Sequence, residues 1–311
     1  MIRYFDPLGR AFQRMKRALF QGAGIRKWFV VGFTAFLAGL TDCHGGGNGG
    51  GVRNRMGRAD WDDLMYFPHD AYVWLLDHPG WFMLILFGVC LLLLIIILIM
   101  WLSSRGKFMF LDNVVHDRAQ VAAPWYEYKT EGNSLFLWSI TVGLVAFALI
   151  VAYLVLSYSV LLGIYELSWE PTALIAPGIL LLLGLIAIIV VASFIDLMLV
   201  DFVVPLMYRS RIKVLAGWRV FLPLFGSRFL YFIGYGIFYL LLSIVIIAGI
   251  IAGVLLTCCL GLLVLIIPYI NAVVLLPVSY TLRAFSVEFL EQFGSDYKIF
   301  PEPSPVAGPL P

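Results

Sequence analysis

Long apolar runs constrain this chain more than any other feature of its sequence. Four runs supply the roughly 20 apolar residues that a helix needs to cross a bilayer: 81–102, 136–162, 178–200 and 229–256. Hydrophobic residues make up 62% of the 311 residues and charged residues only 13%, against about 45–50% and about 25% in soluble domains. This composition excludes an ordinary soluble globular protein and predicts an integral membrane protein.

Two weaker runs extend the prediction to six spans. Residues 260–282 carry no charge but contain Pro268, Asn271 and Pro277. We therefore expect a kinked span, because membrane helices tolerate proline when neighbouring groups bond the freed carbonyls. Residues 28–41 provide 14 residues, which reach about 21 Å at the helical rise. That is shorter than the hydrocarbon core, so length alone leaves open whether this segment spans fully.

The distribution of lysine and arginine favours the six-span topology. With a cytoplasmic N-terminus, 18 of the 21 basic residues lie on the inside, and only Arg53, Arg55 and Arg58 lie outside, which is the positive-inside pattern. Without a span at 28–41, the basic N-terminal residues would lie opposite the other basic loops. We therefore predict an all-α integral membrane protein with a six-helix transmembrane bundle and both termini cytoplasmic.

Three segments lie outside the predicted spans. For residues 1–27 we predict a basic amphipathic interfacial helix, because Leu8, Phe12, Met15 and Leu19 form an apolar stripe beside arginines. This helix either anchors the first span or senses anionic lipid, and the pattern fits both roles. Residues 42–80 form an outer segment that begins with a glycine-rich tether, and residues 283–311 a cytoplasmic helix followed by a proline-rich tail.

Metal and cofactor sites are not indicated. The outer segment contains Cys43, His44, His69 and His78 among several aspartates, but these residues lack a compact ligand spacing such as C-x-x-C. The glycine run is not followed by the lysine and hydroxyl residue of a phosphate-binding loop. We expect no metal, no cofactor and no nucleic-acid partner.

One histidine of the inner loop 103–135 invites a catalytic interpretation. His116 lies between Asp112 and Asp117 in sequence, and a histidine beside carboxylates is able to act as a general base. Such a trio also forms hydrogen-bonded structural faces, and no nucleophile or substrate motif accompanies it. The expectation is that the protein is not an enzyme, with catalysis at His116 kept as a hypothesis.

The inner loops also carry the basic residues that we regard as candidate contacts for lipid headgroups or an anionic partner. The candidates come after the predicted spans 81–102 and 178–200: Arg105, Lys107, Arg209, Arg211 and Lys213. Positive charge at these places sets membrane topology in any case. A binding site for lipid phosphate is the sharper alternative.

Few polar groups are expected inside the bilayer. The candidates for an intramembrane polar site are Asp196, Asp201 and Asn271, and buried charge is the best marker of a transport route. The two aspartates fall near or beyond the inner end of their span, where pairing with Arg209 or Arg211 is a simpler role. Asn271 requires a hydrogen bond from a neighbouring helix.

Several phrases of the sequence resemble a known group. They are RALFQGAGIRKWFVVGFTAFLAGL, SSRGKFMFLDNVV, DFVVPLMYRSR and IPYINAVVLLPVSYTLRAFSVEFLEQFG. Together they are similar to uncharacterised prokaryotic polytopic membrane proteins, and to the membrane domain associated with some glycerophosphodiesterases. The resemblance implies a helical bundle in the prokaryotic cytoplasmic (inner) membrane. It implies no activity, because the phrases contain no catalytic signature and the loop 103–135 is too short for the hydrolytic domain.

Two functions remain open at this point. The first is a non-catalytic scaffold or accessory subunit, whose partners are membrane lipids and either other proteins or a second copy of the chain. Small residues at close-packing spacing, such as Gly249 and Gly253, suit such contacts between membrane helices. The alternative is a transporter or channel for a lipid or other apolar substrate, suggested by the interrupted last span and Asp196.

Overall fold

The protein is described by a computed structural model that covers residues 2–21, 24–41, 72–168, 171–257 and 267–301. Every regular element in these ranges is helical, which confirms the all-α prediction. The principal α-helices, numbered here in chain order, are α1 Phe5–Phe20, α2 Ile25–Ala38, α3 Pro79–Val115, α4 Ala122–Glu127, α5 Lys129–Ser168, α6 Ile175–Met198, α7 Val204–Ser210, α8 Val214–Ser227, α9 Phe229–Leu256, α10 Pro268–Val274 and α11 Leu276–Glu291. Single 3₁₀ turns follow at Pro171–Leu174 and Ser295–Tyr297, and a π-helical turn occupies Leu199–Val203.

Within the described ranges, four helical segments are long and apolar enough to cross a membrane. They are Pro79–Val115, Lys129–Leu167, Thr172–Ser210 and Phe229–Leu256, and they contain the four long predicted spans. The pair α10 and α11 becomes a fifth if it is counted as one bent span. The multi-pass prediction is confirmed at this level, whereas the count of six is not, because α2 has only 14 residues.

The two prolines of the last predicted span lie at helix starts rather than inside one helix. Pro268 begins α10 and Pro277 lies in the first turn of α11, and the two axes meet at 65° near Leu275. Proline suits the first turn because its missing N–H would have no intrahelical partner there. Residues 258–266 lie outside the described part of the chain, so the predicted start of this span has no structural counterpart.

The structure divides into two units. The first comprises Met1–Gly45, Met100–Trp138 and Phe194–Pro311, and the second comprises Gly46–Ile99 and Ser139–Ser193. The first unit holds the large core, in which the end of α3, from Ser103 to Val115, is buried residue by residue. In the second unit, the described contacts between α5 and α6 include the Tyr153 hydroxyl, which donates to the carbonyl of Leu181 at 2.7 Å.

Aromatic rings fill the centre of the first unit. Phe202 lies at this centre and is fully buried. Its ring centroid is 5.7 Å from that of Phe221, 5.0 Å from Phe232 and 4.8 Å from Tyr235. Buried aromatic residues each remove a large apolar area from water, and ring pairs at this spacing add about 0.5–1.5 kcal/mol each. The packing therefore fixes α8, α9 and the π-helical turn relative to one another.

The N-terminal helices pack against the C-terminal ones within the first unit. Helix α1 lies along α11, and α2 lies along α10. The apolar stripe predicted for α1 is divided, since Met15 and Leu19 are buried in this contact while Phe12 is 54% exposed. Helix α1 thus packs against another helix of the same chain, and its placement at a membrane interface stays a prediction.

Two glycines allow helices of the first unit to approach closely. A Cβ at Gly106 of α3 would lie 2.6 Å from the backbone of Leu37 and Ala38 in α2, and a Cβ at Gly32 would lie 2.6 Å from the side chain of Val273. Contacts below 3.0 Å are not sustained by real Cβ atoms. The absence of a side chain at these positions is therefore a condition of the α2–α3 and α2–α10 packing.

Candidate functional site

A buried carboxylate organises the end of α3. Asp112 is fully buried and accepts two hydrogen bonds from Arg118, from Nε at 3.0 Å and from Nη2 at 2.8 Å. This bidentate geometry is the strong form of an arginine–carboxylate pair. Arg118 lies just beyond α3 with its side chain 35% exposed, and the hydrogen bond to Asp112 raises the pKa of its guanidinium above the ordinary value.

Three further side chains meet the same carboxylate, and the most distant is Tyr128, whose hydroxyl donates to Asp112 Oδ1 at 3.5 Å. The Tyr208 hydroxyl, at the end of α7, donates to Asp112 Oδ1 at 2.9 Å, and His116 Nδ1 lies 3.2 Å from that oxygen and 3.1 Å from the tyrosine hydroxyl. Because the Tyr208 proton is directed at Asp112, the tyrosine oxygen is able to accept from Nδ1–H of His116. The Asp112 carboxylate is thus shared by a cation, two phenols and an imidazole, an arrangement that favours a structural ion pair over a free base.

The neighbouring α7–α8 connection carries a second ion pair. Arg211 adopts a left-handed backbone conformation with φ 53° where α7 ends, which costs a non-glycine residue about 1–2 kcal/mol. Its guanidinium pairs with Glu127, lies 3.9 Å from Glu131 and covers the ring of Tyr128 at 3.9 Å. Burial raises the pKa of Tyr128 to about 12, so this phenol stays protonated at neutral pH.

Arg105 of α3 has an unusual environment for a buried cation. Its guanidinium lies over the rings of both Trp101 and Trp125, at 4.6 Å and 4.8 Å from their centroids, and Nη2 donates to the Asn133 side chain at 3.0 Å. The residue is 8% exposed and Nε is buried without a hydrogen-bond partner among the described residues. Removing this charge from water costs free energy, and the two cation–π contacts, at about 2 kcal/mol each, offset part of that cost.

The other basic candidates are not gathered around Arg105 into one site by any described contact. Lys107 is buried, at 7% exposure. Arg209 donates to the carbonyl of Ser295 at 3.5 Å, and Lys213 is exposed where it precedes α8. The five predicted basic residues therefore belong to several local environments, and the contact of any of them with lipid stays a prediction.

The three residues predicted to form an intramembrane polar site lie in different environments. Asp201, on the π-helical turn, accepts a hydrogen bond from Tyr235 at 2.8 Å and lies 3.7 Å from Arg283 of α11. Asp196 lies near the end of α6 and is exposed. In α10, the Asn271 side-chain oxygen is buried without a partner among the described residues. Asp201 thus pairs with Arg283, a partner that the sequence analysis did not suggest.

A third ion-pair cluster was missed by the sequence analysis. Glu288 of α11 is 3% exposed, and its two oxygens accept from Arg10 Nε at 2.5 Å and from Arg14 Nε at 2.6 Å. The available signals were arginines at i and i+4 on α1 and a carboxylate within the apolar stretch AFSVEFL. Neither signal specifies the other, because 274 residues separate Arg14 from Glu288.

The chain matches the model of a family of unknown function (DUF7544) over residues 3–291. The chain belongs to this family. Neither the curated proteins nor the solved structures contain a match to it. Nothing links this family to the membrane domains associated with glycerophosphodiesterases, so the sequence resemblance is supported only in its coarser part, a family without an assigned activity.

Within this family member, the described residues contain no group of three or more potential metal ligands close enough to hold an ion. Cys43, His44 and His69, which the sequence raised as ligands, lie outside the described residues. His78 is described, and its Nδ1 lies 2.9 Å from the Trp74 carbonyl. One cavity of about 290 Å³ is lined by residues 226–231. A second cavity of the same volume is lined by residues of α1 together with Glu288 and Pro301. Neither lining includes His116 or Asp201.

Proposed function

We propose that the protein is a non-catalytic membrane scaffold or accessory subunit that associates with other membrane helices through its spans. The observation that supports this is the exposure of those spans. In the most apolar 18-residue window of Pro79–Val115, Lys129–Leu167 and Phe229–Leu256, no residue is buried against the described chain, and in Thr172–Ser210 the buried share is 6%. These apolar faces require lipid or other helices as neighbours.

Helix α9 carries the face best suited to such a neighbour. Gly249 and Gly253 form a small-xxx-small pair, and nothing in the described residues lies within 4 Å of a Cβ placed at either position. Lipid tails are as apolar as leucine, so helix association in a bilayer depends on close approach at small residues. We expect this face to contact a second copy of the chain or a partner helix.

The experiment is a measurement of the size of the full chain in nanodiscs or mild detergent, by native mass spectrometry and by cross-linking in native membranes. The variant Gly253→Leu should shift the protein to smaller assemblies, because a leucine fills the open face. Gly88→Leu is the matched control, since Gly88 of α3 is equally open but has leucine at both positions four residues away. A wild-type chain that is monomeric in both settings, with no stable subunit bound, would contradict the proposal.

A transporter or channel for a lipid or other apolar substrate is the second candidate. It is favoured by the 65° break between α10 and α11 and by the Asn271 oxygen near it, which has no hydrogen-bond partner among the described residues, because broken helices and buried polar atoms mark transport sites. Reconstituted protein should then accelerate lipid movement between leaflets, and Asn271→Ala should reduce the rate. Absence of lipid movement in proteoliposomes of correctly folded protein would remove this candidate.

We further propose six spans in a prokaryotic cytoplasmic membrane, with both termini cytoplasmic. The support is the distribution of lysine and arginine in the sequence. Because α2 is short, its spanning is the critical point. A reporter fused within residues 42–71 should be active outside the cytoplasm and one fused after residue 301 inside it. A reporter within residues 42–71 that is active inside the cytoplasm would contradict a crossing α2 with a cytoplasmic N-terminus. Reporters on the same side would show that an even number of spans separates residues 42–71 from the C-terminus.

A further inference from the structure

The cavity between α1 and the C-terminal end of α11 has a strongly basic lining. It has a volume of about 290 Å³ and is lined by Arg10, Gln13, Arg14, Arg17, Glu288 and Pro301. Three guanidinium groups and one carboxylate therefore leave a formal surplus of two positive charges. The volume lies at the lower end of ligand pockets, which is about 300 Å³, so the cavity suits a small anion or a single headgroup.

The arginines are oriented by a buried anchor. Glu288 accepts from the Nε atoms of Arg10 and Arg14 and is 3% exposed. Each guanidinium has five N–H donors, of which Nε supplies one. The four Nη hydrogens of each arginine have no acceptor among the described residues and remain available to a ligand. Arg17, which is exposed, makes no ion pair with the described carboxylates.

The frame around this cavity is held at both ends. The side-chain amide of Gln292 accepts from the backbone N–H of Arg3 and donates to its carbonyl, both at 3.0 Å. Glu291 accepts from the backbone N–H groups of Ile299 and Phe300, both at 2.7 Å. Phe300 is thereby placed with its ring 3.8 Å from the Arg14 guanidinium. The arginines are thus preorganised, which lowers the conformational cost of binding an anion.

We propose that this cavity is a binding site for a phosphomonoester, with Arg10, Arg14 and Arg17 as the phosphate contacts. A phosphomonoester carries a charge of about −1.5 to −2 at pH 7 and three acceptor oxygens, which matches the two surplus charges and the free Nη donors. Planar guanidinium groups bind phosphate in bidentate fashion. The phosphate belongs either to a lipid headgroup or to a soluble molecule, and this site lies beyond the scaffold function proposed above.

The test uses the full-length chain with two probes. Inorganic phosphate is titrated into detergent-solubilised protein at constant ionic strength, with binding followed by calorimetry and by thermal unfolding. Separately, thermal unfolding is compared in nanodiscs of phosphatidylcholine with and without phosphatidate, whose headgroup is a phosphomonoester. A ligand that binds only the folded state raises its stability. Stabilisation by free phosphate identifies a soluble ligand, and stabilisation by phosphatidate alone identifies a lipid.

Arg17→Gln is the decisive variant, because Arg17 is exposed and does not pair with Glu288, so its loss leaves the anchor intact. The loss of one charge-assisted contact should weaken the affinity for the active probe about ten-fold. Lys16→Gln is the matched control, since it removes the same charge from the neighbouring exposed position of α1, outside the cavity lining. Affinity in this control should stay within about two-fold of the wild type.

Two results would overturn the proposal. One is the absence of stabilisation by both probes in protein whose circular dichroism shows native helix. The other is an equal loss of affinity in Arg17→Gln and Lys16→Gln, since equal losses would indicate a diffuse attraction of anions to the basic helix instead of a site.

Discussion

Replacement of Arg118 by alanine should destabilise the protein more than replacement of Asp112 by asparagine. The two side chains form one ion pair, but Asp112 is fully buried whereas the Arg118 side chain is 35% exposed. After Arg118→Ala, a buried carboxylate would remain without its arginine, with the hydroxyls of Tyr208 at 2.9 Å and Tyr128 at 3.5 Å and with His116 Nδ1 at 3.2 Å. After Asp112→Asn, the Arg118 guanidinium is able to turn into water.

The magnitudes follow from this asymmetry. Removal of one partner from a buried ion pair costs about 3–5 kcal/mol, because the remaining charge is uncompensated, and we expect Arg118→Ala to fall in this range. Asp112→Asn loses hydrogen bonds to a charged acceptor but leaves an isosteric amide that still accepts from Tyr208, and should cost about 1.5–3 kcal/mol. In the double variant no buried charge remains, so its cost should lie well below the sum of the two single costs.

The assay is the free energy of unfolding in mixed micelles, from titration with SDS followed by circular dichroism. Arg3→Ala is the control, because the Arg3–Asp6 pair on α1 is exposed, at 67% and 51%, and such pairs contribute about 0–1 kcal/mol. A smaller loss for Arg118→Ala than for Asp112→Asn would refute the reasoning. Additivity of the two single variants within about 0.5 kcal/mol would do the same, since uncoupled sites add to that accuracy.

Three further predictions test the first unit. Gly106→Ala should destabilise the protein by about 1–3 kcal/mol through overpacking. At Gly249 no described atom lies within 4 Å of an added Cβ, so Gly249→Ala should change the stability of the isolated chain by less than about 0.5 kcal/mol. Unfolding titrations of both variants measure these two changes. The folded state holds the Tyr128 proton to about pH 12, whereas the unfolded phenol ionises near pH 10, so stability should fall between these pH values and Tyr128→Phe should reduce that slope. Tyr235→Phe removes a buried donor to Asp201 and should cost about 1–3 kcal/mol in the same titration.

The long helices could be predicted from sequence because their signal is local. A run such as 81–102 has no charge and exceeds the bilayer thickness, so the hydrocarbon environment alone determines that it is helical. The extension of α3 to Val115 was less evident, since Ser103 to Asp112 is polar enough to resemble a loop. The structure places this stretch in the core of the first unit, where burial by distant helices stabilises it.

The ion pairs could be predicted only where both partners were close in sequence. The grouping of Asp112 with His116 follows from helical spacing, and the structure places them 3.2 Å apart. The contribution of Tyr208, 96 residues away, depends on how α7 packs against α3, and a single sequence contains no signal for that packing. The same reason explains why the pairing of Asp201 with Arg283, 82 residues away, was not predicted from the sequence.

The buried carboxylates of the first unit and the apolar spans have different roles in the molecule. Asp112, Asp201 and Glu288 each form an ion pair within this unit, and two of these pairs join segments more than 80 residues apart. Burial of a charge costs free energy unless one specific partner is in place, so each pair favours one arrangement of the helices over its alternatives. The apolar windows of the spans have no such pairs and remain uncovered in the described chain. Variants at the carboxylates should therefore impair folding while leaving helix association intact in the molecules that fold, whereas variants at the open glycines of α9 should impair association in a chain of unchanged stability. If the two effects always occurred together, the first unit and the spans would form one cooperative structure, and a scaffold built on freely presented helices would no longer be the simplest interpretation.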